Sequence, residues 1–146
     1  MSHIEWNIGG IPVTIVGLNS NSTASVVGVF ILHGRGGNRH DHIDLAIEMH
    51  HQSKASSLKL VVFLIDQRNH GDRLVDAKMN QGWPDNINHA RDMYAIQLGT
   101  AADVTYLKKL IPVWLNQDVA SWGVCGFSLG GHATLLLLAN GIKNSN

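Results

Sequence analysis

At 146 residues the chain has room for one domain with a sizeable core, and 45% hydrophobic against 15% charged residues excludes a disordered or fibrous sequence. Eleven basic and eleven acidic residues cancel, which removes the electrostatic case for nucleic acid or an anionic membrane as partner. The single cysteine, Cys125, excludes an internal disulfide and suits a reducing compartment.

The first residues, Met1-Ser2-His3-Ile4-Glu5, lack the basic and apolar regions of a signal peptide. No apolar run reaches the length of a membrane span, so the expected location is cytoplasmic. Ile4-Glu5-Trp6-Asn7-Ile8 alternates, Gly9-Gly10 interrupts, and Ile11-Pro12-Val13-Thr14-Ile15-Val16 resumes. This pattern predicts a β-hairpin whose glycines take positive φ. A polar loop is expected over 17–25. Val26-Val27-Gly28-Val29-Phe30-Ile31-Leu32 is continuously apolar, as in a strand covered on both faces, and it ends in His33-Gly34-Arg35-Gly36-Gly37.

Ile43, Ala46, Ile47 and His50 recur at helical spacing over 41–51. Residues 58–65 read as a second buried strand, ending in Asp66-Gln67-Arg68-Asn69-His70-Gly71. The stretch 73–97 reads as loop with short helical pieces. Thr100-Ala101-Ala102-Asp103 resembles a capping box with Asp in place of Glu, which predicts a helix start there. Val104, Leu107, Ile111 and Trp114 then share a face, and Pro112 should kink that helix or mark its last turn. Residues 120–126 form a third strand, and the apolar residues after Leu129 a helix.

Hairpin, strand, helix, strand, helix, strand, helix predicts an α/β fold: a mostly parallel sheet flanked by helices, with an N-terminal hairpin. Ligands in such sheets bind beyond the C-terminal ends of the strands. The turns at His33, Asp66 and Ser128 all fall there.

The third turn, Gly126-Phe127-Ser128-Leu129-Gly130, fits G-x-S-x-G, the nucleophile elbow. A serine on a sharp strand-to-helix turn is crowded by its neighbours two residues away, and glycine relieves the crowding. With the His33-Gly34-Arg35-Gly36-Gly37 turn, which resembles an HGxxG oxyanion loop, and Asp66 to Gly71, which resembles a D-x-R-N-H-G turn of esterase-like members, the chain resembles the α/β-hydrolase superfamily. The resemblance implies a hydrolase acting on an ester or other acyl or peptide carbonyl of a small molecule, with no cofactor. It implies Ser128 as nucleophile and the backbone N–H groups of Leu129 and Arg35 as oxyanion donors. His33, Gly34, Gly36, Gly37, Asp66, Arg68, His70, Gly126 and Gly130 would support them.

In that superfamily the acid and the histidine follow the elbow. Here the residues after Ser128 include no Asp or Glu, and their only histidine is His132. The chain is therefore expected to be the N-terminal portion of a single truncated hydrolase domain, 1–146, inactive alone for want of a base. The alternative is a non-catalytic remnant or binding fragment. Removing later strands would also leave the strand over 120–126 as an open edge, with self-association expected through it.

His40-Asp41-His42-Ile43-Asp44 fits H-x-H-x-D, a metal-ligand pattern, but zinc needs three or four ligands, and the simpler reading is the polar first turn of a helix. Cys125 reads as an inert thiol, and the scattered tryptophans as core or rim.

Overall fold

The computed structural model describes residues 3–18, 25–54 and 59–140. Most of the expected polar loop over 17–25, residues 55–57 after the first helical segment, Leu58 and the tail beyond Asn140 lie outside these residues. The strands are β1 Ile4–Ile8, β2 Ile11–Val16, β3 Val26–Leu32, β4 Lys59–Ile65 and β5 Val119–Gly126. The helices are α1 Ile43–Ser53, α2 His89–Leu115 and α3 Leu129–Ala139.

The strands form one sheet in the order β1-β2-β4-β3-β5. β1 and β2 make the expected hairpin, with Ile8 opposite Ile11. Gly9 and Gly10 take φ of +59° and +85°, the conformation that matches a hairpin turn to strand twist. β2 then pairs antiparallel with β4, while β3 runs parallel to both β4 and β5. The fold is thus mixed α/β with a parallel centre, as the order of elements predicts.

Helices cover both faces. On one, Phe30, Leu32, Val61 and Phe63 pack with Val104, Leu107 and Ile111 of α2 and with Ala133 and Leu137 of α3. On the other, Val16, Ile31, Val62 and Leu64 pack with Ala46 of α1. Trp122 stacks on Phe30 with ring centroids 5.5 Å apart. A Cβ on Gly28 would lie 2.6 Å from that indole, which explains a glycine inside a buried strand.

One boundary differs from expectation. α2 begins at His89, eleven residues before the capping-like Thr100, so the last part of the expected loop is helix. Met93, Ile96, Thr100, Val104, Leu107 and Ile111 form one continuous buried stripe. Thr100 and Asp103 satisfy tertiary partners there instead of capping a helix end. Pro112 lies in the last turn, and Asn116 closes the helix in the left-handed conformation at φ 49°.

β5 stands at the edge of the sheet, and among the described residues its outer side pairs with no strand. Trp122, Val124 and Cys125 there are half-buried, and no charge interrupts the strand from Val119 to Gly126. Burial pushes the Cys125 thiol up, away from the reactive thiolate. An uncharged open edge templates pairing. We therefore expect concentration-dependent association, read by size-exclusion chromatography with light scattering. A Val124→Lys variant should shift the population toward monomer, and identical profiles would remove the edge as its cause.

Candidate active site

The three turns leave the sheet side by side, because Leu32 is in register with both Ile65 and Gly126. Ser128 follows β5 after one residue, Phe127, and has φ 49° and ψ −109°. A residue with a Cβ in this region costs about 1–3 kcal/mol and persists only where its surroundings force it.

The forcing contacts are visible on both sides. A Cβ on Gly126 would fall on the Gly130 backbone, and one on Gly130 would fall on the Leu32 carbonyl. The strand and α3 therefore cross at backbone contact, which only glycine allows. The turn is fixed by Phe127 N–H donating to Leu32 O (3.0 Å) and Gly130 N–H donating to Phe127 O (2.9 Å). The Leu129 N–H, at the free start of α3, donates to no group among the described residues.

Against this elbow lies the turn after β3. A Cβ on Gly34 would sit 3.7 Å from Phe127 O and 3.8 Å from Ser128 Cβ. Gly37 N–H donates to Gly34 O at 3.1 Å, and Gly36 takes φ +78°, closing a tight turn with Arg35 exposed at its corner. The Arg35 N–H, like that of Leu129, has no partner among the described residues.

His33 is fully buried and works as a strut. Its Nδ1–H donates to Gly34 O (2.7 Å), so its Nε2 is free to accept from Gln67 N–H (3.0 Å), while the Gln67 amide donates back to His33 O. Burial pushes the imidazole below the ordinary histidine value of about 6.5. A depressed folded-state value means the unfolded chain binds the proton more readily. Stability is then complete above about pH 6.5 and falls as the pH drops below it, by at most about 1.4 kcal/mol per pH unit for this one group. A urea melt between pH 7 and 5.5 should show that loss, and His33→Gln should blunt it; an undiminished loss in the variant would assign it elsewhere.

Asp66, completely buried, holds the same loop from below. Its carboxylate accepts from Arg39 N–H (2.7 Å), the Arg39 guanidinium (2.5 Å) and Asp72 N–H (3.0 Å). Arg39 reaches on to Asp72 (2.8 Å) and to Thr14 Oγ1 of β2 (3.2 Å). Gly71, at φ +54°, passes so close that any Cβ there would strike the Asp66 carboxylate.

Arg68 is engaged by α2. It lies over Gly99 of α2 and pairs through two nitrogens with Asp103, at 3.0 and 2.8 Å. Arg73 joins the same carboxylate at 2.8 Å. Burial alone would raise the Asp103 carboxyl, but the bonds from Arg68 and Arg73 outweigh it and hold it below the usual range. His70 is buried, with Nδ1–H on Arg68 O at 3.0 Å.

Arg39, Asp72, Asp103 and Gly99 were not legible as site supports, since each acts across the fold. The histidine pair separates. His40 faces Glu5 at 3.6 Å, while His42 stacks on Phe127 at 4.3 Å between ring centroids. No group of three metal-ligating side chains occurs among the described residues. His132 returns its Nδ1 to the Ser128 backbone carbonyl (3.0 Å), and no described side chain bonds the Ser128 hydroxyl.

No protein-family model matches the sequence, and no curated protein matches it significantly. Solved structures do. TT1662 from Thermus thermophilus superposes with a TM-score of 0.68 at 18% identity, over 96% of this chain and 52% of that one. An esterase/lipase from an uncultured bacterium superposes with a TM-score of 0.54 at 18% identity, over 95% of this chain and 38% of that one. The chain thus spans about half the length of the first and less than two-fifths of the second. The fold is α/β-hydrolase-like. No helix among the described residues is long and apolar enough to cross a membrane.

Proposed function

We propose that this chain carries the nucleophile and oxyanion portion of a serine acyl hydrolase. The observation behind this reading is the strained Ser128 at φ 49°, set between two glycines that only backbone contact explains, with Gly34 of the neighbouring turn against it. In the reaction, Ser128 Oγ adds to an ester carbonyl, and the N–H groups of Leu129 and Arg35 stabilise the tetrahedral oxyanion. The ester C–O bond then breaks, the alcohol leaves, and water releases the acid from the acyl-enzyme.

His33, Asp66 and Arg68 hold the rim through structural partners, and His70 does so through Nδ1, its buried Nε2 having no partner among the described residues. With no described side chain on the Ser128 hydroxyl, its proton passes to solvent, and acylation by these 146 residues is slow. The whole hydrolase reaction belongs to a site that also has a base.

The test is p-nitrophenyl acetate hydrolysis by the chain and by Ser128→Ala. We expect a slow release of nitrophenolate, well below the rate of a working esterase, that is lost in the variant. Identical rates in both would favour the second reading, a non-catalytic binding fragment, which the unpartnered Ser128 hydroxyl makes specific. Rapid turnover abolished by the substitution would show that a described histidine does act as base.

A further inference from the structure

Four arginines sit on or beside the three turns. Arg39, Arg68 and Arg73 are each paired with carboxylates. Arg35 has no carboxylate within ion-pair distance among the described residues, and it is exposed. Its guanidinium is nonetheless held in place. Nη1 donates to Asn80 O at 3.3 Å, and a Cβ on Gly82 would lie 3.0 Å from that same nitrogen, so the glycine leaves the guanidinium its room.

Its anchor is itself rigid. Asn80 and Asn69 clasp one another, with Asn69 Nδ2 donating to Asn80 Oδ1 (2.9 Å) and Asn80 Nδ2 donating to Asn69 O (2.7 Å). Asn69 Oδ1 also accepts from Val75 and Asp76 N–H, at 3.0 and 2.8 Å, and Gly82 O is tied by Asn86 N–H at 3.0 Å. The bond to Asn80 O directs the guanidinium toward that loop. One hydrogen bond leaves most of its five donors open, in the planar fork that matches a carboxylate. The Arg35 backbone stands one residue from Gly34, which lies against the elbow, and its guanidinium reaches from that turn to Asn80 and Gly82.

Resting on the serine-hydrolase reading above, we infer that the Arg35 guanidinium selects esters bearing a carboxylate, receiving that group at the rim while the ester carbonyl lies at Ser128. Esters of neutral compounds lack a partner for it. Asn80 and Gly82 are positioning residues for Arg35.

The experiment uses the 146-residue chain with 4-acetoxybenzoate and its methyl ester, which deliver the same acetyl group from leaving phenols that differ in charge. In each, a bond forms from Ser128 Oγ to the acetyl carbon, the phenolic C–O bond breaks, the phenolate departs and the serine proton goes to solvent. Acetylation of the Ser128 peptide is followed by mass spectrometry; each rate is corrected by that of Ser128→Ala and divided by the ester's own uncatalysed hydrolysis rate, because the two phenols differ in acidity as well as charge. The charged ester is expected to react roughly five- to tenfold faster at low salt, with the preference reduced at high salt. The ratio should fall to about one in Arg35→Gln and recover in part in Arg35→Lys. Because the ratio is read, any common change at the oxyanion N–H cancels. A ratio near one in the unaltered chain, or one untouched by Arg35→Gln, overturns the assignment while leaving Ser128 as nucleophile. Acetylation of Ser128 by neither ester overturns both.

Discussion

Replacing Gly130 by alanine is expected to lower stability by about 3 kcal/mol or more, roughly a 10 °C fall in melting temperature for a chain of this size. The added methyl would fall on the Leu32 carbonyl and lie 2.7 Å from the His33 carbonyl. Both are backbone atoms at the end of β3, so nothing can rotate aside. Gly126→Ala drives the same crossing apart from the other side, meeting the Gly130 backbone and, at 2.7 Å, the Gly131 N–H. Two controls separate this from the loss of glycine as such. Gly123→Ala would meet only Val29 Cγ2 at 3.3 Å, a side chain that can give. Gly34→Ala makes ordinary contacts with Phe127 O and Ser128 Cβ, so stability should move by less than about 0.5 kcal/mol while reactivity at Ser128 changes. Urea melts of the four variants give the comparison. Gly130→Ala melting with the unaltered protein would refute the backbone-contact account of the elbow.

Asp66→Ala is expected to cost about 3–5 kcal/mol, the range for removing one partner of a buried pair. The substitution leaves the Arg39 guanidinium, 8% exposed as a residue, without its closest carboxylate, and it orphans the N–H groups of Arg39 and Asp72. The loop carrying Arg35 should loosen with it, because Arg39 closes that loop. Asp103→Ala should cost less, since Arg68 is half-exposed and water can replace its partner. Net stabilities are only about 5–15 kcal/mol, so Asp66→Ala brings the chain near unfolding at room temperature. Equilibrium urea unfolding, with the two variants side by side, checks the order. Equal losses would mean that burial of the pair does not decide its worth.

The parts of this molecule that follow from local chemistry were legible in the sequence. Gly9-Gly10 between alternating runs sets the hairpin, and the apolar runs of β3 and β4 announce strands covered on both faces. The three turns could be placed together because parallel strands of similar length end on one side, as the Leu32 register shows. What stayed hidden is tertiary. Thr100 and Asp103 read as a helix start because their polarity has a local explanation, a cap, and their true partner, Arg68, lies far off in sequence. Arg39 carries no motif at all, yet it links β2, the oxyanion-like loop and the turn after β4 through Thr14, Asp66 and Asp72. The His40 and His42 spacing fits a metal-ligand pattern but reads more simply as the polar first turn of a helix, and the 3-10 turn over Arg39–His42 sends the two rings to different neighbours.

The elbow glycines illustrate the middle ground. Their spacing marks the turn in sequence, but the reason appears only with the crossing of β5 and α3, where each glycine meets the other's backbone or the end of β3. Ser128 is then the one side chain set at positive φ in that crossing, and the Leu129 N–H that follows it has no partner among the described residues.

The most direct measurement is covalent. The chain is incubated with a fluorophosphonate, whose phosphorus takes the place of the ester carbonyl carbon and whose oxygen that of the oxyanion, and intact mass and peptide mapping follow. The account predicts a single adduct, slow to form, located on Ser128 and absent from Ser128→Ala, with slower labelling in Gly34→Ala. Labelling spread over Ser121, Tyr94 and other exposed hydroxyls, at rates unchanged by Ser128→Ala, would contradict it.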